Sequence, residues 1–420
     1  MSQTTAPIES ALLKGREQLS FGAYMRAWAS RLRSGDLGQL PVILGLVAIC
    51  IVFQAANPIF LTSFNLVNLL VQASIVITIA YGVVIVLLLG EIDLSMGFTA
   101  GLSAVAIALL LRAPIVIPGI TPEAGISIPW YIAIAAGLLL ATLTGFIQGF
   151  FVTFFRLPSF IVTLAGQLAL SGLVLLTVKG LGTLPMRDAV VRGTVNTFLP
   201  PEIGWLFAIA VTAVYFAIQL LGYRARRDAG LNATPMGVIV LQTAAAGAAV
   251  AGVIYVANQS RGLPVSFVLL LIMMLVLSYI TTSTRFGRYL FAVGGNKEAA
   301  RRAGIPVERI RLYGFMLGSF MAGIGGVFLV ARLGSVSPNT GGGELLLNSI
   351  AAAVIGGTSL FGGRGKISSA LLGGLVVGTV ENGFGLIPNM PADAKLIMTA
   401  GILLLAVIVD SFARRNSARG

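Results

Sequence analysis

The chain has 420 residues, 57% of them hydrophobic and only 10% charged. A water-soluble domain carries roughly 25% charged residues, so a soluble globule is excluded. The net charge is +13, with no histidine and one cysteine, which excludes Ser-His catalysis, histidine zinc sites, histidine proton relays and a disulfide framework.

In chain order, residues 1–39 come first as a basic segment expected in the cytoplasm. Leu12, Leu13, Leu19, Phe21, Tyr24 and Trp28 are interleaved there with Lys14, Arg16, Arg26, Arg31 and Arg33. That pattern fits a helix lying on the anionic inner leaflet, or equally a topogenic tail. Apolar runs near the ~20 residues needed to cross a bilayer then recur to the end of the chain. They lie near Leu40–Ala56, Leu66–Leu89, Met96–Leu111, Trp130–Phe151, Pro158–Val178 and Ile203–Leu221, followed by Met236–Ala257, Leu263–Ile280, Leu312–Val330, Leu345–Gly357, Ile367–Val380 and Leu396–Val409. The expectation is an all-α polytopic membrane protein of about twelve spans, ten at the fewest, since several are short and Gly-rich enough to be broken or re-entrant. The transmembrane part runs over residues 40–412, and residues 413–420 form a cytoplasmic tail. With the N terminus inside and the spans alternating, 21 of the 28 Lys and Arg fall on the cytoplasmic side. Such a bias is what the positive-inside rule predicts. The positive charge then reflects topology, and no nucleic-acid partner is expected. Cys50, within the first apolar run, reads as a small packing group.

The most charged late segment is "TTSTRFGRYLFAVGGNKEAARRAGIPVERIRLYG", Thr281–Gly314. Gly294 and Gly295 are expected to break the chain, and Asn296 to cap a short helix over "KEAARRA" with Glu298 favourable to its dipole. Gly304 and Pro306 end it. A helix so punctuated, outside the membrane between two spans, reads as a docking element for a partner.

This segment carries a resemblance. Glu298-Ala299-Ala300, three residues, then Gly304 resembles the EAA signature of permease subunits of ABC importers. The fuller signature is not followed: Pro306 comes early, and "VERIRL" replaces the usual distal Leu-Pro. That departure resembles the branch serving ribose and xylose. "GEIDLSMG" (90–97), "RLPSFIVTLAGQLALSGL" (156–173), "NSIAAAVIGGTSLFGGRG" (348–365) and "LLLAVIVDS" (403–411) are similar to that branch as well. The extra spans over 203–257 resemble the longer xylose-type permeases. The resemblance implies one half of a homodimeric pore in a bacterial inner membrane, with both termini cytoplasmic. It implies an ATP-binding partner that holds ATP and Mg and docks on residues 282–311, chiefly Asn296, Glu298, Ala299, Ala300, Arg301 and Gly304. It also implies a periplasmic sugar-binding protein, and no cofactor or metal on this chain. The residues agree on one point: "GGRGK" (362–366) lacks the earlier Gly and the following Ser/Thr of a phosphate-binding loop.

A neutral sugar is held by amides, hydroxyls and aromatics. Gln72, Tyr81, Gln167 and Asn348 are the pathway candidates, with Asn68, Gln148 and Asn382 beside them, although interhelical hydrogen bonding is the competing role for each. Arg187, Arg192 and Arg332, on the outer side, are candidates for docking the binding protein. Glu344, Glu381 and Asp393 are expected in outer loops, and Asp410 ends the last span.

The stretch "LLLGEIDLSMGFTAG" (87–101) places Glu91 and Asp93 between two spans, with Gly90, Ser95 and Gly97 around them. Lacking Lys and Arg, it is expected to tuck into protein. Asp93 or Ser95 should cap the first turn of the third span. A gate role is the next reading. The last is proton carriage, in a secondary sugar transporter or channel using Glu91 or Asp93; the nearest basic residues are remote in sequence.

Overall fold

The computed structural model describes residues 40–112, 127–230, 233–391 and 393–401, with Gly22 and Leu404 besides. Apart from Gly22, the basic segment 1–39 lies outside the described residues, as do the tail 413–420, half of the last predicted span and Asp410. The described chain divides into two compact units, one over Gln39–Phe198 and Pro264–Asp410, the other over Leu199–Leu263.

In the larger unit, α1 (Leu40–Ala56), α2 (Ser63–Leu88), α3 (Met96–Leu110), α4 (Trp130–Phe154) and α5 (Ser159–Val178) follow one another. A two-residue strand β1 (Leu184–Pro185) and a short helix α6 (Ala189–Asn196) come next. The smaller unit is a hairpin of α7 (Pro201–Asp228) and α8 (Met236–Asn258), with Leu199 N donating to Leu263 O at its base. The larger unit resumes with α9 (Val265–Ser283), α10 (Arg285–Gly295), α11 (Lys297–Arg302) and α12 (Val307–Leu333). It ends with β2 (Ser335–Val336), α13 (Leu345–Ile355), α14 (Ile367–Gly385) and helical residues 393–401.

Among the described residues, eight helices are long and apolar enough to cross a membrane, and α1, α3 and α13 are shorter apolar helices. All eleven sit on predicted spans. At 1.5 Å per residue, α3 and α13 reach only about 22 and 17 Å, short of a ~30 Å hydrocarbon core. Such broken elements need protein around them to satisfy their ends.

Apolar residues surround α2 on every side, and it is accordingly the core: 83% of its apolar window is buried, against 28% for α4 and 22% for α5. Close approach to α12 is possible because Gly82 lies against the Gly318 carbonyl, where a side chain would collide. Lipid gives helices no hydrophobic reason to associate, so small residues and polar pairs do that work.

Three local features depart from expectation. Gly294 and Gly295 do not break the chain; they finish α10, and the break falls at Asn296. Arg285–Gly295 forms a helix because Thr284 Oγ1 accepts from Gly287 N at 3.2 Å and Gly287, Leu290 and Val293 bury one face. In the same way Asp188 caps α6, accepting from Val190 N and Val191 N at 2.9 Å each, while Val191 and Val195 point inward.

Candidate functional site

Polar and charged side chains in the larger unit gather at its two ends. One end carries the basic loop of α10 and α11. There α2 stops in a Schellman motif: Gly90, at φ +70°, donates to Leu87 O at 2.8 Å, and Glu91 N donates to Val86 O at 3.2 Å. The Glu91 carboxylate is 4% exposed. Its Oε1 meets Lys297 Nζ at 2.7 Å and Arg311 Nη2 at 2.6 Å, with Arg311 Nε donating at 2.8 Å. The basic partners, 206 and 220 residues away in sequence, are therefore in contact. Lys297 starts α11 and Arg311 lies in the second turn of α12, so one carboxylate grips both sides of α11. Arg311 is only 14% exposed. Removing the partner of such a buried charge costs about 3–5 kcal/mol, whereas the pair itself adds little net stability.

Backbone contacts reinforce the ion pairs. A methyl group at Gly294 would overlap the Leu88 carbonyl oxygen. That oxygen also accepts from Gly363 N at 3.0 Å, and Gly362, at φ +86°, lies against Gly90 and Gly294. Three glycine-bearing stretches, "LGEID", "VGGNK" and "LFGGRG", thus meet backbone to backbone. The loop of the last is closed by Ser359 N donating to Arg364 O at 2.9 Å, which leaves Phe361 projecting at 92% exposure.

Beyond Glu91 the break runs inward. Asp93, also 4% exposed, accepts at Oδ1 from Ser95 N at 2.8 Å and from Ser95 Oγ at 2.6 Å. Neither the Asp93 nor the Ser95 side chain accepts from a first-turn amide of α3, so the expected cap is replaced by an Asx turn just before the helix. Ser95 Oγ accepts instead from Gln148 Nε2 at 2.8 Å. Ile92 N donates to Ser159 Oγ at 3.3 Å and Leu94 N to Thr163 Oγ1 at 3.1 Å, tying the break to α5. Asp93 Oδ2 has no partner, and Asp93 borders a cavity of about 100 Å³ whose other lining side chains, Ile92, Met96, Ile350 and Leu360 among them, are apolar. Burial pushes the Asp93 carboxyl up, and the two bonds from Ser95 pull it back.

α11 stands beside this junction. Asn296 Oδ1 accepts from Ala299 N at 2.9 Å, and a second Schellman motif at Gly304 (φ +79°) ends the helix. Ala300 is buried against the fold; Glu298, 69% exposed, pairs with Arg301, which also reaches Glu308.

At the opposite end amides predominate, with one carboxylate among them. Asn65 Nδ2 donates to Asn382 Oδ1 at 2.7 Å, Asn382 returns a bond at 3.1 Å, and its amide also reaches Gln72 Oε1 at 3.4 Å. Asn348 Nδ2 donates to Glu381 Oε1 at 2.5 Å. Glu381 therefore belongs to the last full turns of α14 rather than to an outer loop. Of the pathway candidates, Gln72 joins the Asn65–Asn382 pair and Asn348 bonds Glu381; Tyr81 is buried with its hydroxyl unpartnered, and Gln167 sits half-buried on α5. Pairing of β1 with β2, with Met186 N donating to Gly334 O at 2.8 Å, brings the exposed Arg187 and Arg332 towards one corner, while Arg192 is exposed on α6. Among the described residues, no three acids or thiols gather as a metal site would require.

A family model described as the permease component of the branched-chain amino acid transport system matches residues 65–407. The chain belongs to this permease family. It is 34% identical to the xylose transport system permease protein XylH of Escherichia coli strain K12, over 92% of this chain and 95% of that one. Identity to XylH of Haemophilus influenzae is 32%, covering 90% and 98%. The ribose import permease protein RbsC of Escherichia coli strain K12 is 30% identical, over 92% of this chain and 96% of its own. No solved structure matches the chain. In this permease, sequence reasoning named Glu91 but missed its partners, Lys297 and Arg311, and missed Gly362 and Gly363 as part of the same junction. The available signal was chemical: a buried acid beside a span demands a cation, and the basic loop holds the largest supply.

Proposed function

We propose that the chain forms half of the translocation pathway of an ATP-driven importer for a pentose such as xylose. Similarity to the xylose and ribose permeases along nine-tenths of both chains carries this reading. The basic end faces the cytoplasm of a bacterial cell, with both termini on that side of the inner membrane. A separate ATP-binding subunit, which holds the ATP and Mg, docks on α11 through Glu298 and its neighbours. A second copy of the chain completes the pore. A periplasmic binding protein delivers the sugar to the opposite end, with Arg187, Arg192 and Arg332 as its contacts. Because that protein supplies the specificity, the pathway needs only weak, neutral polar groups, as Gln72, Asn348 and Asn382 provide.

Uptake of labelled xylose into proteoliposomes holding this chain, the ATP-binding subunit and the binding protein tests the reading. ATP-dependent uptake is expected. Uptake that needs no ATP and collapses with an uncoupler would establish the rival, a proton-coupled transporter using Glu91 or Asp93. The double pairing of Glu91 speaks against that rival. Glu298→Lys breaks only an exposed pair worth about 0–1 kcal/mol, so the fold should persist. The ATP-binding subunit should nevertheless be lost on co-purification; normal co-purification would remove Glu298 from the docking surface.

A further inference from the structure

The geometry points to Glu91 as a positioning residue that transmits movement of the docking helix to the broken segment Gly90–Ser95. The inference rests on the proposal that an ATP-binding subunit docks on α11, and it concerns what happens after docking.

Three observations carry it. First, Glu91 holds cations on both sides of α11, Lys297 at its first residue and Arg311 beyond its end, through a single oxygen. A rotation or shift of α11 moves both cations, and the carboxylate must follow or lose its bonds. Second, the carboxylate hangs on backbone of defined geometry, the Schellman motif that ends α2, against which Gly294 and Gly363 rest. Displacement of Glu91 therefore displaces the chain rather than a flexible side chain. Third, the residues that follow are bonded to other helices, Ile92 and Leu94 to α5 and Ser95 to Gln148 of α4. The break also borders the cavity beside Asp93, which leaves room for Ile92 and Met96 to move. Charge-assisted bonds in a shielded site are directional and hard to exchange for water, as a transmitting link requires.

The link predicts a defect in coupling rather than in docking, because Glu91 itself is buried while Glu298 is exposed. Sugar transported per ATP hydrolysed would be measured in proteoliposomes containing the whole complex, with the amount of co-purified ATP-binding subunit as the control. Glu91→Gln and Arg311→Gln should each lower the ratio at least tenfold while the subunit stays attached. Glu91→Asp should recover part of it, and the exchange Glu91→Arg with Arg311→Glu should recover more than either single change. Lys297→Gln, at the more exposed partner, leaves no buried charge unpaired and should lower the ratio about threefold with an unchanged melting temperature. A wild-type ratio in Glu91→Gln overturns the inference. If Glu91→Gln does not fold, a wild-type ratio in Lys297→Gln overturns it instead. Failure of the docking proposal looks different: the unmodified chain itself would then fail to retain the subunit or to require ATP.

Discussion

At the basic end Glu91 meets Lys297 and Arg311 and three glycine backbones touch, whereas at the opposite end Asn65, Asn382 and Gln72 exchange amide hydrogen bonds beside the Asn348–Glu381 pair. The two ends join helices of the same unit by unlike means. An amide pair is neutral and self-complementary, and between membrane helices it contributes only about 0.6 kcal/mol on average. It can be traded for water or for the hydroxyls of a sugar without leaving a charge behind. The basic end has no such latitude. A carboxylate shared by two cations and a glycine pressed on a carbonyl have one workable arrangement, and losing it strands a charge or creates a clash. One end is built to be remade, the other to hold.

The largest effect should follow from filling the glycine contact. Gly294→Val would drive a branched side chain into the Leu88 carbonyl, costing about 3 kcal/mol or more. The yield of monodisperse protein after detergent extraction should fall severely, and a normal yield would mean that the backbones can part. Next comes the turn at the break. Asp93→Leu removes the acceptor of two bonds from Ser95, worth about 1–3 kcal/mol, and should lower the melting temperature by several degrees. Asp93→Asn keeps an acceptor and should be tolerated far better; equal losses would show that the charge itself is needed.

The pH dependence sharpens this further. With its pKa raised, Asp93 adds stability below the unfolded value of about 3.9, and that contribution is lost as pH rises through the folded value. Asp93→Asn, which never ionises, should therefore gain in melting temperature relative to the native chain as pH rises above about 4. A constant difference across that range would contradict the assignment.

At the amide end Asn65→Leu should cost only about 1 kcal/mol, visible as a small drop in melting temperature. A loss as large as that of Gly294→Val would erase the contrast between the two ends. The smallest effect is expected outside the packed interior. Arg187→Ala and Arg192→Ala should leave stability alone and weaken stimulation by the binding protein only at low salt, where surface charge is least screened. Unchanged stimulation there would free both residues of a docking role.

The sequence by itself determined the class of the molecule and the placement of its helices. Apolar runs report spans because a bilayer gives an uncompensated polar backbone no alternative, and all eleven described apolar helices lie on such runs. Local chemistry was equally plain at Asn296 and Gly304, since a cap and a left-handed terminus depend on neighbours in the chain. The caps at Thr284 and Asp188 gave the same kind of signal and went unread. Only the tertiary structure decided which distant residues share a bond. Nothing in the spacing joins Glu91 to residues more than 200 positions away, or Asn65 to Asn382. Burial decides these pairings: once α2, α12 and α14 exclude solvent, each acid and amide must take the partner that the packing delivers.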